Sequence, residues 1–142
     1  MSEKVLLVDD EPEFLEVMAE RMKARDMNVV TATSAEAALE LIAKESFDAV
    51  VLDFMMPGMD GIETLRKLKD DKPELQIILL SGYATVEKSV EAMKLGAMDF
   101  MEKPADIEKL AAKIKRAQTE KIMLVEKKSA ERIQKILEDK GW

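Results

Sequence analysis

With 142 residues, 47% of them hydrophobic, the chain is long enough to bury the core of one domain and too apolar to be disordered. Its net charge of −7 argues against nucleic acid or an anionic membrane surface as a direct partner. Because Cys and His are both absent, disulfides, thiolate metal sites and histidine bases are excluded, and any metal must be held by oxygen ligands.

Five short apolar runs alternate with amphipathic helical patterns. In chain order, the predicted strands are Val5–Val8, Asn28–Ala32, Ala49–Asp53, Gln76–Leu80 and Ala97–Met101. Apolar side chains recur at helical spacing between them, within residues 14–22, 37–42, 62–68 and 86–93. Thr33 with Glu36, and Asp60 with Glu63, predict capping boxes for the second and third helices, and Gly96 predicts the end of the fourth. This alternation is typical of a parallel sheet with helices on both faces.

The last segment, 106–140, contains no Gly or Pro and predicts one long helix capped by Asp106. A first apolar stripe is Ile107, Leu110, Ala111 and Ile114, and a second is Ile122, Val125, Ile133, Ile136 and Leu137. At ~1.5 Å per residue such a helix is about 50 Å long, which exceeds the diameter of the domain. We therefore expect a domain over residues 1–120 and a helical extension over 121–142. The extension is either a linker, a helix folded back on its own domain, or a coiled coil through which the chain forms a homodimer, and we favour the coiled coil.

No run approaches the roughly 18 apolar residues of a membrane span, and the apolar stretch near the N-terminus is too short for a secretory signal. The expected location is therefore the cytoplasm.

Functional groups follow the predicted strands at the point where each strand ends. In chain order they are Asp9, Asp10, Asp53, Ser81 and Lys103. Because the carboxyl ends of parallel strands share one edge, we expect these side chains to converge. Three neighbouring carboxylates repel one another unless a divalent cation is bound between them, and magnesium suits such a set. With a serine and a lysine beside them, they would bind a phosphoryl group next to a carboxylate nucleophile.

The motifs LLVDDE, LDFMMPGMDG, LLSG and GAMDFMEKP occur in this order over roughly residues 3–118. In these motifs the chain resembles the receiver domain of two-component response regulators, including the chemotaxis-regulator-like members. The resemblance implies a flavodoxin-like (βα)5 fold, a doubly wound parallel sheet with strand order 2-1-3-4-5, here with an extended C-terminal helix. It also implies a phosphoacceptor that assists its own phosphorylation and dephosphorylation and is not otherwise an enzyme.

The resemblance assigns the phosphoacceptor and the metal ligands. Asp53 would accept the phosphoryl group. Asp10 and Asp53 would bind Mg²⁺, or Mn²⁺ in its place, directly, together with the backbone carbonyl of Met55. Asp9 would act through a water molecule.

The remaining family positions concern the phosphoryl group and the switch. Ser81 and Lys103 would bind phosphoryl oxygens, and Ser81 and Phe100 would move together on activation. Phe100 stands where Tyr is common, so a switch hydroxyl is absent. The Lys103–Pro104 peptide bond would be cis. Met55 and Tyr83 occupy the two variable positions that flank the phosphoryl group, and we expect their bulk to slow hydrolysis of the acyl phosphate.

A sensor histidine kinase or a histidine phosphotransfer protein would supply the phosphoryl group, and the face formed by the fourth helix, fifth strand and fifth helix would signal to a protein target. One alternative is a receiver and linker cut from a longer transcription-activating regulator. A haloacid-dehalogenase-like phosphatase would need an Asp-x-Asp pair after the first strand, where this chain has DDEPE. A flavodoxin-like flavin carrier would need a phosphate loop at the same place.

Overall fold

A computed structural model describes residues 2–54, 56, 60–82 and 86–141 of the chain. The strands are β1 (Lys4–Val8), β2 (Asn28–Ala32), β3 (Ala49–Asp53), β4 (Ile77–Ser81) and β5 (Asp99–Glu102). The helices are α1 (Pro12–Lys23), α2 (Ala35–Lys44), α3 (Gly61–Asp71), α4 (Val86–Lys94) and α5 (Ile107–Asp139). None of these helices is both long and apolar enough to cross a membrane, in the part of the chain that the structure describes.

The five strands form one parallel sheet in the order β2-β1-β3-β4-β5, which confirms the predicted topology. Apolar side chains cover both faces of the sheet. On one face, Leu6 and Leu79 pack in a cluster with Leu65 of α3. On the other, Val51 packs in a cluster with Ile114 of α5. Burial on both faces explains why the central strands are continuous apolar runs.

Side-chain caps fix the starts of three helices. Asp60 accepts hydrogen bonds from the first backbone N–H groups of α3, and Asp106 does the same for α5, as predicted. The prediction for α2 was wrong by one residue. Ser34, and not Thr33, is the N-cap, because its hydroxyl oxygen accepts from the Ala37 N–H at 3.1 Å.

The connection from α4 to β5 also differs slightly from the prediction. Gly96 adopts φ 103°, a left-handed conformation that ends the helix. The Ala97 N–H still donates to the Ala92 carbonyl at 3.1 Å, so Ala97 belongs to the helix end, and β5 begins only at Asp99. Ala92 of α4 is buried, whereas Val90 and Met93 are nearly half exposed.

The long C-terminal helix is continuous, as the sequence predicts. Its first half packs on the sheet through four buried residues, Leu110, Ala111, Ile114 and Ala117. Every residue from 122 to 141 is exposed. The extension therefore projects from the domain and does not fold back over it.

Candidate functional site

The edge of the sheet where the strands end, called the carboxyl edge here, holds a cluster of acids. Asp9 and Asp10 follow β1, and Asp53 is the last residue of the neighbouring strand β3. One carboxylate oxygen from each of the three lies within 4.8 Å of the others. The Asp9 N–H donates to the Ala32 carbonyl at 3.1 Å, which extends the pairing with β2 and fixes the first acid in place. The predicted convergence of these three carboxylates is therefore observed.

Lys103 reaches the same cluster from the end of β5. Its backbone N–H donates to the Ser81 carbonyl at 2.9 Å, and its peptide bond to Pro104 is cis, as the resemblance implies. The Lys103 Nζ donates to Asp9 Oδ2 at 2.6 Å and lies 3.5 Å from Asp53 Oδ2. One ammonium group thus contacts two of the three acids.

The surroundings of Lys103 keep it charged. Burial, the largest single influence, lowers its pKa, but the hydrogen bond to Asp9 and the negative charges of Asp53, Asp9 and Glu11 together outweigh it and raise the pKa above the ordinary value. The ammonium group also lies 4.4 Å from the ring centroid of Phe14, a distance typical of a cation–π contact. Glu11 Oε1 is 3.6 Å from the same nitrogen.

The donor set fits a hard divalent cation. All three side chains offer carboxylate oxygens, which magnesium and manganese prefer. Both oxygens of Asp9 already accept hydrogen bonds, one from Lys103 and one from the Glu11 N–H at 2.9 Å. Asp9 is only 1% exposed, whereas Asp10 is exposed. Asp10 is therefore more accessible to an ion than Asp9 is.

The two predicted switch residues lie beside this cluster. Ser81 is fully buried at the end of β4, and the register pairs the residue before it, Leu80, with Asp53. Phe100 is partly buried on β5, and its ring centroid lies 5.8 Å from that of Phe54, with the rings tilted by 59°. Both are near Asp53 along the sheet. Met55 and Tyr83, which the resemblance places around the phosphoryl group, lie outside the described residues.

Three residues at the site escaped the sequence reasoning. Glu11 and Phe14 contact Lys103, and Phe54 packs on Phe100. The backbone of Gly61 lies close to Phe54, since a Cβ atom on Gly61 would be only 2.6 Å from the Phe54 carbonyl oxygen. In the sequence, only the positions of these residues could have indicated a role at the site, since Phe54 directly follows Asp53 and the other two lie at the start of α1.

The family model described as the response regulator receiver domain matches residues 5–115. The chain belongs to this family. It is 35% identical over 113 residues to the transcriptional regulatory protein ZraR of Escherichia coli K12, which covers 80% of this chain and 26% of that protein. It is 39% identical over 104 residues to the response regulator protein FleR of Pseudomonas aeruginosa, which covers 73% of this chain and 22% of that protein. The chain thus spans about a quarter of the length of these relatives.

Solved structures lead to the same family. A response regulator receiver domain protein from Clostridium thermocellum superposes with a TM-score of 0.81 and 30% sequence identity, over 86% of this chain and 98% of that one.

Proposed function

We propose that Asp53 is the phosphoacceptor of this receiver domain and that the donor is the phosphohistidine of a sensor histidine kinase or a histidine phosphotransfer protein. The observation that supports this is the meeting of Asp53, at the end of β3, with Asp9, Asp10 and the Lys103 ammonium group. These 142 residues contain no His, so the phosphohistidine must lie outside them.

In the proposed reaction, a carboxylate oxygen of Asp53 forms a bond to phosphorus while the P–N bond of phosphohistidine breaks. The electron pair of that bond stays on the imidazole nitrogen, which takes up a proton from solvent. Lys103 pairs with one phosphoryl oxygen and the Ser81 hydroxyl donates to another. Mg²⁺, held by Asp10, Asp53 and the carbonyl of Met55 with Asp9 acting through water, would neutralise the negative charge that gathers there.

Phosphorylation then biases the conformation of the domain. We propose that Ser81 moves toward the phosphoryl group and that Phe100 moves into the space next to it, which shifts the population of the α4–β5–α5 face. The exposed Val90 and Met93 of α4 belong to this face and would contribute to binding the protein target.

The decisive experiment is incubation with acetyl phosphate and Mg²⁺, followed by intact mass. We expect one added phosphoryl group in the natural chain and none in Asp53→Asn. Asp48→Asn, an acid at the opposite edge of the sheet, is the matched control and should be phosphorylated normally. Equal phosphorylation of Asp53→Asn would refute the assignment. Turnover of phosphate esters or bound flavin would point to the other two functions considered from the sequence.

The lifetime of the acyl phosphate is a separate proposal. We propose that the bulk of Met55 and Tyr83 shields it from water. The double substitution Met55→Asn with Tyr83→Glu should shorten the half-life of phosphorylated Asp53, measured by release of inorganic phosphate. An unchanged half-life would contradict a shielding role.

We further propose that residues 1–120 act as the receiver and that 121–142 act as a linker or a self-association segment. The two relatives compared above are a transcriptional regulator and a response regulator, and this chain matches about a quarter of each. That proportion favours a receiver and linker of a longer transcription-activating protein as the second candidate. Sedimentation of the chain before and after truncation at Glu120 tests whether the segment causes self-association, which a monomer in both cases would exclude.

A further inference from the structure

The Lys103 ammonium group has two kinds of neighbour among the described residues. Three carboxylates lie close to it, with Asp9 Oδ2 at 2.6 Å, Asp53 Oδ2 at 3.5 Å and Glu11 Oε1 at 3.6 Å. The other neighbour is the ring of Phe14, whose centroid lies 4.4 Å from Nζ. The face of an aromatic ring attracts a cation through its quadrupole although the ring carries no net charge. The ring therefore offers Lys103 a contact that does not depend on the charge of the acids.

The position of Phe14 is fixed by the first turns of α1. Pro12 is the first residue of this helix, and the Leu15 N–H closes its first turn by donating to the Glu11 carbonyl at 3.1 Å. Leu15 and Met18 are buried in the core cluster on one face of the sheet, and Phe14 packs against the same cluster. Because the helix is held at these points, the ring of Phe14 can restrict the position of a more flexible side chain.

Lys103 is a side chain that needs such a restriction. Its backbone N–H donates to the Ser81 carbonyl at 2.9 Å, but the ammonium group lies at the end of a flexible four-carbon stem. An ammonium group is also strongly hydrated, so an unrestrained Lys103 would place its charge in water. In the folded chain its side chain is only 16% exposed.

The acids alone hold the ammonium group only while their negative charge is free. Asp9, Asp10 and Asp53 would share that charge with a divalent cation bound between them, and two neighbouring positive charges repel each other. The attraction to the ring of Phe14 is unchanged in that case. The role proposed for Lys103 requires its ammonium group to stay beside Asp53 when the ion is bound, and the ring supplies the contact that allows this.

We propose that Phe14 is a positioning residue for phosphorylation, because its ring holds the Lys103 ammonium group where that group meets a phosphoryl oxygen. This inference rests on the proposed function, in which Asp53 accepts the phosphoryl group and Lys103 binds it. Phe14 acts through Lys103 and does not itself contact the reacting atoms. A residue that only filled space in the core would be replaced without loss by another apolar side chain of similar size, whereas a positioning ring would not.

The first measurement is the rate at which acetyl phosphate and Mg²⁺ phosphorylate Asp53. Phe14→Leu keeps an apolar side chain but has no ring face, so we expect the rate to fall by about fivefold. Phe14→Tyr keeps the ring face and should stay within about twofold of the natural chain. Phe47→Leu is the matched control, because it removes another ring beside a lysine, with Lys4 Nζ 5.2 Å from the Phe47 centroid at the opposite edge of the sheet. This control should be phosphorylated at the natural rate.

The second measurement detects the contact itself by NMR. Protons above the face of an aromatic ring resonate upfield, so the ε-methylene protons of Lys103, which are bonded to the carbon next to Nζ, should resonate upfield of those of exposed lysines. Lys103→Met assigns the signal by removing it. The upfield shift should be present in EDTA and in Mg²⁺, should remain in Phe14→Tyr and should be absent from Phe14→Leu. Urea denaturation of each variant shows that the folded state is the one measured.

The results separate this proposal from the assignment of Asp53. If the natural chain is not phosphorylated at all, the proposed function fails and this inference fails with it. If the natural chain is phosphorylated, equal rates in Phe14→Leu, an equally slow Phe14→Tyr or an equally slow Phe47→Leu would each overturn the positioning role. Loss of the upfield shift in Mg²⁺ would also overturn it, and the natural chain alone provides that test. A slow Phe14→Leu with normal Phe14→Tyr and Phe47→Leu, and a shift retained in Mg²⁺, would support it.

Discussion

The two edges of the sheet both gather charged side chains, but their charges are balanced differently. At the carboxyl edge, Lys103 lies beside three carboxylates, those of Asp9, Glu11 and Asp53, and Asp10 clusters with two of them. At the edge where the strands begin, called the amino edge here, Asp99 lies beside two cations, Lys113 and Arg116, and three other acids pair with one cation each. These pairs are Lys4–Glu45 at 2.7 Å, Lys121–Asp48 at 4.0 Å and Lys128–Glu74 at 3.2 Å.

The excess of negative charge at the carboxyl edge favours the binding of a cation, whereas the paired charges at the amino edge connect structural elements to one another. A surplus of negative charge costs free energy in the folded state until a cation arrives, so the carboxyl edge is suited to an ion and to a reaction that depends on it. A balanced edge gains nothing from an ion. Two of its ion pairs, Lys121–Asp48 and Lys128–Glu74, instead connect α5 to the domain.

The largest expected effect is the response of stability to Mg²⁺. Because the proposed Mg²⁺ site forms only in the folded state, a Mg²⁺ concentration 100 times the dissociation constant should raise the free energy of unfolding by about 2.7 kcal/mol. Urea denaturation with and without Mg²⁺ measures this gain. Asp48→Asn should keep it and Asp10→Asn should lose most of it. A gain of equal size in Asp10→Asn would mean that the ion acts elsewhere.

Removal of an acid from the amino edge should destabilise the protein in any buffer. Asp48 accepts a hydrogen bond from the Lys4 N–H at 2.8 Å and from the Gln118 amide at 3.4 Å. Asp48→Ala leaves these donors without their acceptor, so we expect a loss of about 1–2 kcal/mol in the free energy of unfolding. The same value with and without Mg²⁺ is part of the prediction, and a Mg²⁺-dependent loss would contradict the division between the edges.

At the carboxyl edge, removal of an acid should have the opposite sign when Mg²⁺ is absent. Asp10→Asn relieves the repulsion with Asp9 and Asp53, so in EDTA the variant should be more stable than the natural chain. Because Asp10 is exposed, solvent screening limits the gain to about 1 kcal/mol or less. Thermal unfolding in EDTA measures it. A destabilised Asp10→Asn would show that the cluster is stabilising without an ion.

Most of the fold followed from hydrophobic pattern. Five buried runs bounded by helices indicated a parallel sheet, because strands covered on both faces lose the alternation of exposed ones. The ends of helices and strands were predicted less accurately where alternative local hydrogen bonds compete. Thr33 and Ser34 are both good caps, and only the backbone geometry selects Ser34. Likewise, the hydrogen bond from the Ala97 N–H to the Ala92 carbonyl keeps Ala97 at the helix end, so β5 begins later in the chain than the hydrophobic pattern predicts.

The site followed less completely. Strand ends identified Asp9, Asp53 and Lys103, since parallel topology brings those ends together. The partners supplied by α1 did not follow, because the angle at which a helix leaves the sheet edge decides that Phe14 lies against Lys103. Patterns along one segment carry no information about such angles between elements. For the same reason, the anchoring of Lys128 on Glu74 became visible only in the structure.

The smallest expected effect is a pH dependence at the amino edge, where Asp99 begins β5. Asp99 contacts Lys113 and lies 3.4 Å from Arg116, both on α5. Burial, the largest influence, raises its pKa, but the hydrogen bond from Lys113, the Phe100 N–H and the two cations lower it below the ordinary value. Because the folded form has the lower pKa, this carboxylate stabilises the protein above the unfolded pKa of about 3.9. That stabilisation is lost as the pH falls through the folded pKa.

Asp99→Asn should therefore lower the free energy of unfolding by about 0.5 kcal/mol near neutral pH and leave it unchanged at the acid end, measured by urea denaturation across pH. A cost that stays constant with pH would assign the effect of Asp99 to packing and not to its charge.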